Sequence, residues 1–290
     1  MAPPTYETQK AWKDIQKFLP QRLAFTDDHS PVEEFWENRG HTIHLDRWRN
    51  PTAKVRVILH HGVGTNGRQM SMILGAPLHT AGFEVVAVDM PGYGCTKTAC
   101  HTTVSYDDWV NIANDFINFE LEKDDRPIVL YGLSAGGMLT YHVAALNKKV
   151  KGIVGMTFLD QRIQAVRDET ARDLFMSRVG IPLARQRPAA LFLADRSSAG
   201  SWASMHFLST YAFYKLALEP EEFDVCPILL TQPAKDKWTP LHLSELVLRR
   251  VKKVPVKIVE LENAGHYPLE DPGLQQMADA IIEFLRELVP

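Results

Sequence analysis

The sequence has no long hydrophobic run and no excess of basic charge. No stretch approaches the roughly 18 consecutive apolar residues of a membrane span, and the first residues, MAPPTYETQKAWKDIQ, lack the apolar centre of a signal peptide. A formal net charge of −3 provides no positive field for a phosphate backbone. The one basic cluster, RRVKK at 249–253, is predicted to lie at the carboxyl end of a helix. We therefore expect a soluble protein that binds no nucleic acid.

Cysteine is also scarce. The 290 residues include only Cys95, Cys100 and Cys226, none in a C-x-x-C spacing. An odd number of cysteines in a chain of this length favours free thiols in a reducing compartment over a disulfide framework. The expected location is the cytoplasm, and the composition, with 45% hydrophobic and 23% charged residues, is that of an ordinary globular protein.

Short apolar runs alternate with helical patterns along most of the chain. Because the runs are apolar almost throughout, they predict parallel strands that helices cover on both faces. An amphipathic helix is predicted over 105–123 with Ser105 as its N-cap, and another over 274–289. The segment HTIHLDRW at 41–48 alternates instead, which predicts an antiparallel edge strand. The apolar runs are VRVIL (55–59), EVVAV (84–88), IVLY (128–131), GIVGM (152–156), PILLT (227–231) and VKIVEL (256–261).

The alternation stops between residues 160 and 224, where helical periodicity continues without a convincing strand. This interruption predicts a helical cap at 160–224 inserted into an α/β core formed by 1–159 and 225–290. The apolar side chains of the cap could line a pocket or could simply pack against the core, and the sequence leaves both open. They are Leu174, Phe175, Met176, Trp202, Met205, Phe207, Leu208, Tyr211, Phe213 and Tyr214.

The segment YGLSAGG at 131–137 follows a predicted strand and precedes a predicted helix. It fits the G-x-S-x-G pattern in the strand-turn-helix context that a nucleophilic serine requires. Gly132 and Gly136 would relieve crowding around a sharp turn at Ser134. The alternative is a small-residue turn with an inert serine, so the interpretation depends on whether a base and an acid accompany it.

Candidate partners for Ser134 follow in the order acid, then histidine. His266 lies in the loop of LENAGHYPLEDP, after the last predicted strand, and can accept the proton of the hydroxyl. Asp236 follows the strand PILLT and precedes Thr239-Pro240, a predicted helix start. We favour Asp236 as the acid over Asp160, which begins the cap and can serve as a helix N-terminal residue there.

An oxyanion hole requires two backbone N–H groups. Ala135, the residue after the serine, is predicted to supply one, and Val63 in the glycine-rich segment LHHGVGTNG supplies the other. His60 and His61 could instead suggest a metal pair. Adjacent residues of a strand point to opposite faces, however, and no matching cluster completes a site. The expected cofactor and metal content is none.

Together, HHGVG, DMPGYG, GLSAGG, AKD and GHYPLEDP resemble the α/β-hydrolase superfamily, on its capped lysophospholipase and monoacylglycerol-lipase-like side. The resemblance covers about 42–288 and implies a mostly parallel eight-stranded sheet. It implies Ser134 as nucleophile, His266 as base, Asp236 as acid, and Val63 and Ala135 as oxyanion donors. Leu133 departs from the histidine that many lipases of this group have there. A serine nucleophile argues against the epoxide-hydrolase and dehalogenase branches, which use a carboxylate.

The expected partner is a small-molecule acyl substrate, attacked to form an acyl-enzyme. Carboxylic esters with medium or long acyl chains are the first hypothesis because of the apolar cap. A signalling lactone, a thioester or a C–C bond could be cleaved by the same three residues. A non-catalytic receptor on this fold would be expected to lack one of them, and the sequence contains all three. The oligomeric state is not specified by the sequence.

Overall fold

A central eight-stranded sheet organises the computed structural model, which describes residues 3–99, 103–168 and 205–289. The strand order is β1-β2-β4-β3-β5-β6-β7-β8. β2 runs antiparallel to β1 and β4, and every other neighbouring pair is parallel. This sheet confirms the predicted fold class. The strands are β1 (Val32–Asn38), β2 (His41–Trp48), β3 (Arg56–His60), β4 (Glu84–Val88), β5 (Ile128–Gly132), β6 (Val150–Gly155), β7 (Ile228–Pro233) and β8 (Val256–Leu261).

The predicted strands agree with the structure to within two residues at each end, but the predicted sheet edge is wrong. The strand at 41–48 is antiparallel as expected, yet it lies second in the sheet. The edge strand on this side of the sheet is β1, which pairs with β2 from Val32 opposite Arg47 to Asn38 opposite His41. The sequence of β1, VEEFWEN, has three acidic residues and is nowhere fully buried, so it lacks the apolar signal of a strand.

Alternate residues of the central strands enter two hydrophobic clusters, one on each face of the sheet. Val57 and Val85 belong to the first cluster, and their neighbours Ile58 and Val86 belong to the second. All five residues of β3, β4 and β5 are buried. This two-sided burial explains why the strands read as continuous apolar runs.

The helices cover both faces. Leu74 and Met277 pack in the first cluster, whereas Trp109, Leu139 and Val247 pack in the second. The helices are α1 (Lys10–Ile15), α2 (Gly67–Met70), α3 (Ala76–Thr80), α4 (Tyr106–Lys123), α5 (Ala135–Leu146), α6 (Met205–Ala212), α7 (Leu241–Leu248) and α8 (Gly273–Leu288), with a π-helical turn at Ser71–Gly75 and a further helical stretch at 164–168. None of the helices in the described ranges is long and apolar enough to cross a membrane.

Two helix ends test the local predictions. Ser105 caps α4 as predicted: its hydroxyl accepts the N–H of Asp108, whose carboxylate accepts the Ser105 N–H in return. Helix α7 begins at Leu241, one residue after Pro240, the predicted first helical residue, which is instead the N-cap. The delay occurs because the N–H and hydroxyl of Thr239 both bond to Asp236.

Beyond α7, Arg249 pairs with Glu245 and Arg250 with Glu221, so these two cations of the basic cluster have acidic partners.

Part of the predicted cap is described. Phe207 of α6 is 3% exposed and packs against Trp109 of α4, and Thr210 accepts the N–H of Tyr106. Phe213 just beyond α6 is 71% exposed. The cap boundaries stay a prediction. Of the apolar residues predicted for the cap, four lie outside the described residues: Leu174, Phe175, Met176 and Trp202.

Two of the three cysteines are described. Cys95 and Cys226 are buried free thiols, as expected, and Cys100 lies outside the described residues.

A buried hydrogen bond helps to attach the segment before β1 to the sheet. Tyr6 is 1% exposed, and its hydroxyl donates to Asp89 at the end of β4 over 2.7 Å. Asp89 also accepts the N–H groups of Gly67 and Cys95 and lies 3.0 Å from His44 Nδ1. Burial would lower the pKa of His44, but Asp89 and the neighbouring acids raise it to about 10. The buried imidazole is therefore charged at neutral pH.

Four charged side chains near the amino ends of β3 and β4 form a buried network. Arg47 bonds to Glu84 and Glu120 over 2.7 and 2.8 Å, and Arg56 lies 3.0 Å from Glu120. Burial alone would raise the pKa of Glu120, but Arg47 and its other basic neighbours lower it. Each arginine therefore depends on Glu120 to compensate its own desolvation.

Replacing Glu120 should destabilise the whole fold. Glu120→Gln removes a fully buried negative charge that contacts both Arg47 and Arg56. The two cations are then balanced by Glu84 and by the more exposed Glu34 and Asp124. We expect a loss of about 3 kcal/mol in the free energy of unfolding, measured by urea denaturation. Lys17→Ala, which removes an exposed ion pair with Asp14, is the control and should change stability by less than about 0.5 kcal/mol. Equal effects of the two variants would contradict a structural role for the network.

Candidate active site

Ser134 lies at a sharp turn between β5 and α5. Its φ is 54° and ψ is −121°, a left-handed conformation that costs energy for any residue with a side chain. The strand ends at Gly132 and the helix starts at Ala135, so the chain reverses within two residues. The turn places the serine at the amino end of α5, where the N–H groups of the first helical turn lack intrahelical partners.

The glycines around this turn are required by close backbone approach. A side chain at Gly132 would overlap the carbonyl of Gly136, and one at Gly137 would overlap the carbonyl of Thr157. A Cβ at Gly136 would lie 2.6 Å from the carbonyl oxygen of His61. Helix α5 thus begins in direct contact with the ends of β3 and β6, and any larger residue would push it away.

The loop after β3 lies directly beside the serine. A Cβ placed on Gly62 would come within 2.8 Å of Ser134 Cβ and 3.5 Å of Ser134 Oγ. The structure therefore brings Ser134 next to Gly62, the residue before Val63, and Ala135 follows the serine at the start of α5. The donation of N–H groups by Val63 and Ala135 stays a prediction.

His61 holds this loop in place. Its Nε2 accepts the N–H of Met90 over 2.9 Å, and its Nδ1 donates to the carbonyl of Gly62 over 2.7 Å. Burial lowers the pKa of His61 to about 4, which leaves the ring neutral, as an acceptor nitrogen requires. Sequence reasoning treats His61 only as a possible metal ligand, and it misses the role in positioning the loop because Met90 lies 29 residues away.

The carboxylate of Asp236 receives hydrogen bonds on both oxygens. Oδ1 accepts the N–H groups of Trp238 and Thr239 over 2.8 and 3.0 Å, and Oδ2 accepts the hydroxyl of Thr239 over 2.6 Å. The side chain is fully buried. Burial raises the pKa, but the His266 ring and the Thr239 groups lower it to about 2. Asp236 is therefore a fixed, buried negative charge.

The structure brings His266 to Asp236. Its Nδ1 lies 2.8 Å from Asp236 Oδ2, and its side chain is 12% exposed. Because an ionised carboxylate can only accept, Nδ1 must bear the proton, which leaves Nε2 of the neutral ring as the proton acceptor. The loop of His266 is joined to that of Asp236 by the Lys235 N–H, which donates to the Ala264 carbonyl over 2.9 Å.

Trp238 is a contact that sequence reasoning missed. Its indole contacts the His266 ring, with centroids 5.2 Å apart and planes tilted by 32°, and the residue remains 43% exposed. A tryptophan two residues after an aspartate gives no signal of such stacking. The contact depends on the 264–267 loop folding back beside the β7–α7 turn.

Asp160, the rival acid, is engaged elsewhere. Its carboxylate accepts the Nε and Nη2 of Arg162 over 3.0 and 2.8 Å and the Arg162 backbone N–H over 3.0 Å. Arg162 in turn pairs with Glu219. Within the described parts of the chain, the carboxylate bonded to His266 is that of Asp236.

One group of side chains has ligand types suited to a metal, away from this site. Glu33, His44 and Asp46 bring their donor atoms within 4.8 Å of one another. The guanidinium of Arg68, however, lies 2.5 Å from Asp46 and 3.3 Å from Glu33. A cation is thus already part of the cluster, and its charges are balanced by protein groups.

Comparison with known proteins agrees with this architecture. The model of the alpha/beta hydrolase family matches residues 57–280. The chain belongs to this family, whose members include hydrolases with a serine at a strand-to-helix turn. No curated protein sequence matches the chain significantly.

Several solved structures share the fold. A soluble variant of monoglyceride lipase from Saccharomyces cerevisiae, in complex with a substrate analog, superposes with a TM-score of 0.72 at 17% identity, over 94% of this chain and 99% of the lipase. Monoacylglycerol lipase from Paleococcus ferrophilus gives 0.61 at 22%, over 88% and 99%. Carboxylesterase CesB from Bacillus subtilis gives 0.66 at 16%, over 95% and 96%. At these identities the likeness concerns the fold.

The buried Asp236 carboxylate should make stability depend on pH in acid. Folding lowers the pKa of Asp236 from 3.8 to about 2. Between these two pH values the unfolded chain therefore binds more protons than the folded protein does. Its stabilisation is therefore complete above about pH 4 and is lost as the pH falls towards 2, which amounts to about 2 kcal/mol. Urea denaturation at pH 5 and pH 2 should show this extra loss in the wild type relative to Asp236→Asn.

The matched control removes an exposed carboxylate instead. Asp125→Asn, at an exposed position, should retain the full wild-type pH dependence. If Asp236→Asn loses as much stability between the two pH values as the wild type does, Asp236 is not the buried charge described above.

Proposed function

We propose that the chain is a serine hydrolase that cleaves carboxylic esters with medium or long acyl chains, in the manner of lysophospholipases, monoacylglycerol lipases and esterases. The observation that carries the proposal is the Asp236–His266 pair at 2.8 Å, with its carboxylate fully buried, together with the strained Ser134 at the amino end of α5. Strain of this kind persists where the surrounding structure enforces it, and functional sites are where it concentrates. Family membership supports hydrolysis as the reaction class.

Each residue has a defined part in the proposed reaction. Ser134 Oγ attacks the ester carbonyl carbon while His266 Nε2 takes the hydroxyl proton. The resulting imidazolium is stabilised by the Asp236 carboxylate, and the N–H groups of Val63 and Ala135 receive the oxyanion. Collapse of this intermediate breaks the ester C–O bond, and His266 returns the proton to the leaving alcohol. Water then attacks the acyl-Ser134 ester by the same steps and releases the acid.

The preference for apolar acyl chains rests on the segment 160–224, proposed as a cap over the carboxyl edge of the sheet. Its described helix α6 presents aromatic rings towards α4, where Phe207 and Tyr211 contact Tyr106. Tyr106, the first residue of α4, donates its hydroxyl to the carbonyl of Ala135 over 3.3 Å. The cap helix is therefore linked through Tyr106 to the residue after the nucleophile. The likeness to a monoacylglycerol lipase and a monoglyceride lipase supports the same substrate class.

Removing the nucleophile should abolish turnover without unfolding the protein. Ser134→Ala takes away the attacking oxygen and also a hydroxyl at a strained turn, so the melting temperature should change by no more than a few degrees. We expect kcat for p-nitrophenyl esters of graded chain length to fall by at least about a thousandfold. A fluorophosphonate probe should label the wild type and leave Ser134→Ala unlabelled. Wild-type-like turnover by the variant, or no turnover and no labelling of the wild type, would refute the proposal.

The two candidate acids can be separated by isosteric amides. Asp236→Asn replaces the acceptor of His266 Nδ1–H with a group that can also donate, so the ring loses the favoured tautomer; we expect kcat to fall by roughly 10³- to 10⁴-fold. Asp160→Asn leaves this pair intact and should lower kcat by less than about tenfold. The comparison uses kcat of protein shown by circular dichroism to be folded. A larger loss in Asp160→Asn would reverse the assignment.

A further inference from the structure

The indole of Trp238 occupies an unusual position for an exposed aromatic ring. It belongs to the turn between β7 and α7, where its backbone N–H donates to Asp236. Its ring lies against the His266 ring, with centroids 5.2 Å apart and planes tilted by 32°. The same residue therefore orients the carboxylate through its backbone and contacts the imidazole through its side chain. The 43% exposure of the indole shows that the ring is not held there by burial in the core.

The electrostatics of this contact differ between the two protonation states of His266. The face of an indole ring is electron-rich and attracts a cation placed over it, whereas a neutral imidazole gains little from it. In the proposed reaction His266 is neutral before attack and positively charged in both tetrahedral transition states. An interaction confined to the charged form accelerates the chemical step rather than binding.

We propose that Trp238 is a positioning residue whose indole face stabilises the imidazolium form of His266 during acyl transfer. The inference rests on the proposed function, because it assigns to the Asp236–His266 pair the part of the general base. Trp238 acts through His266 and takes no proton itself. The stabilisation expected for a partly exposed cation–π pair corresponds to about a two- to fivefold change in rate.

Among the residues that the structure describes, the other charged and titratable groups around His266 come from two loops. On the β7–α7 turn, Asp236 accepts from Nδ1, and Lys235 bonds to Asn263. On the loop of His266 itself, the buried Tyr267 ring lies 6.2 Å away, and Glu270 accepts the Gly265 N–H over 3.4 Å. Substituting the Trp238 side chain changes none of these groups, so its effect on His266 can be measured separately.

The test compares the wild type with Trp238→Phe, which keeps a weaker aromatic face, and Trp238→Leu, which keeps only apolar bulk. In the pH profile of kcat/KM for a p-nitrophenyl ester, the Leu variant should be about two- to fivefold slower on the neutral plateau. Its acid limb should move to lower pH by about half a pH unit. The two changes cancel at low pH, where the rates of the wild type and the variant should converge. KM should stay unchanged, and the Phe variant should be intermediate.

A second measurement does not require turnover. The imidazole signal of His266, assigned in NMR spectra with His266→Gln, reports the pH at which the ring is half protonated. That pH should fall by about half a unit in Trp238→Leu and by less in Trp238→Phe. If it is unchanged, or if it rises because the indole acts only by excluding water, the inference is wrong. A pH-independent rate ratio with an altered KM, as a substrate contact would give, also overturns it.

The matched control is Trp36→Leu. Trp36 is a tryptophan of the edge strand β1 whose ring stacks on Phe119, on the opposite side of the sheet order from β7 and β8. Both the plateau rate and the His266 titration should match the wild type. If the titration follows the expected order while the wild type hydrolyses no acyl substrate, the proposed function fails and the effect of Trp238 on His266 stands. If the wild type hydrolyses esters and the titration does not respond to Trp238, the proposed function stands and the role of Trp238 fails.

Discussion

The close approach of helix α5 to the sheet is the constraint on which the site depends. Gly136 and Gly137 touch the carbonyls of His61 and Thr157, so the helix starts at van der Waals distance from β3 and β6. That contact forces the turn at Ser134 into the left-handed region, and the cost is offset by the packing of nearly every residue of α5 into the core. The conformation of the serine is thus a consequence of helix placement, maintained by the whole sheet.

Much of the fold could be predicted from the sequence because its signals are local. The runs EVVAV and VKIVEL coincide with β4 and β8 residue for residue. Strand β4 is buried on both faces and needs a continuous apolar segment, whereas β8 lies at a sheet edge, is partly exposed and contains Lys257 and Glu260. Ser105 follows the same logic: an N-cap is recognised from its own side chain and the residue three positions later. The Gly-x-Ser-x-Gly turn can likewise be predicted from the sequence, because the crowded backbone around Ser134 leaves room only for glycine at positions 132 and 136.

What escaped prediction depends on contacts between distant parts of the chain. Strand β1 is stabilised by its partner β2 and by ion pairs such as Glu34 with Arg47, and its polar sequence has no apolar signature. The two bonds from Thr239 to Asp236, and the stacking of Trp238 on His266, follow from how two loops meet at the sheet edge. For the candidate site, the residue types and their order were predictable from motifs. The hydrogen bonds that fix their orientation were not, because no periodicity encodes a loop conformation.

The hydrogen bonds of Asp89 have a consequence for the order of assembly. This single carboxylate accepts donors from residues 6, 67 and 95, which enter the growing chain at widely separated times. The segment before β1 therefore cannot take up its final position until the chain has been synthesised beyond Cys95. Asp236 and His266 can meet only later still, once β8 and the loop after it have been synthesised. During synthesis, this pair thus cannot form until all eight strands of the sheet have emerged, and helix α8, whose Met277 and Ile281 belong to the first cluster, emerges after it.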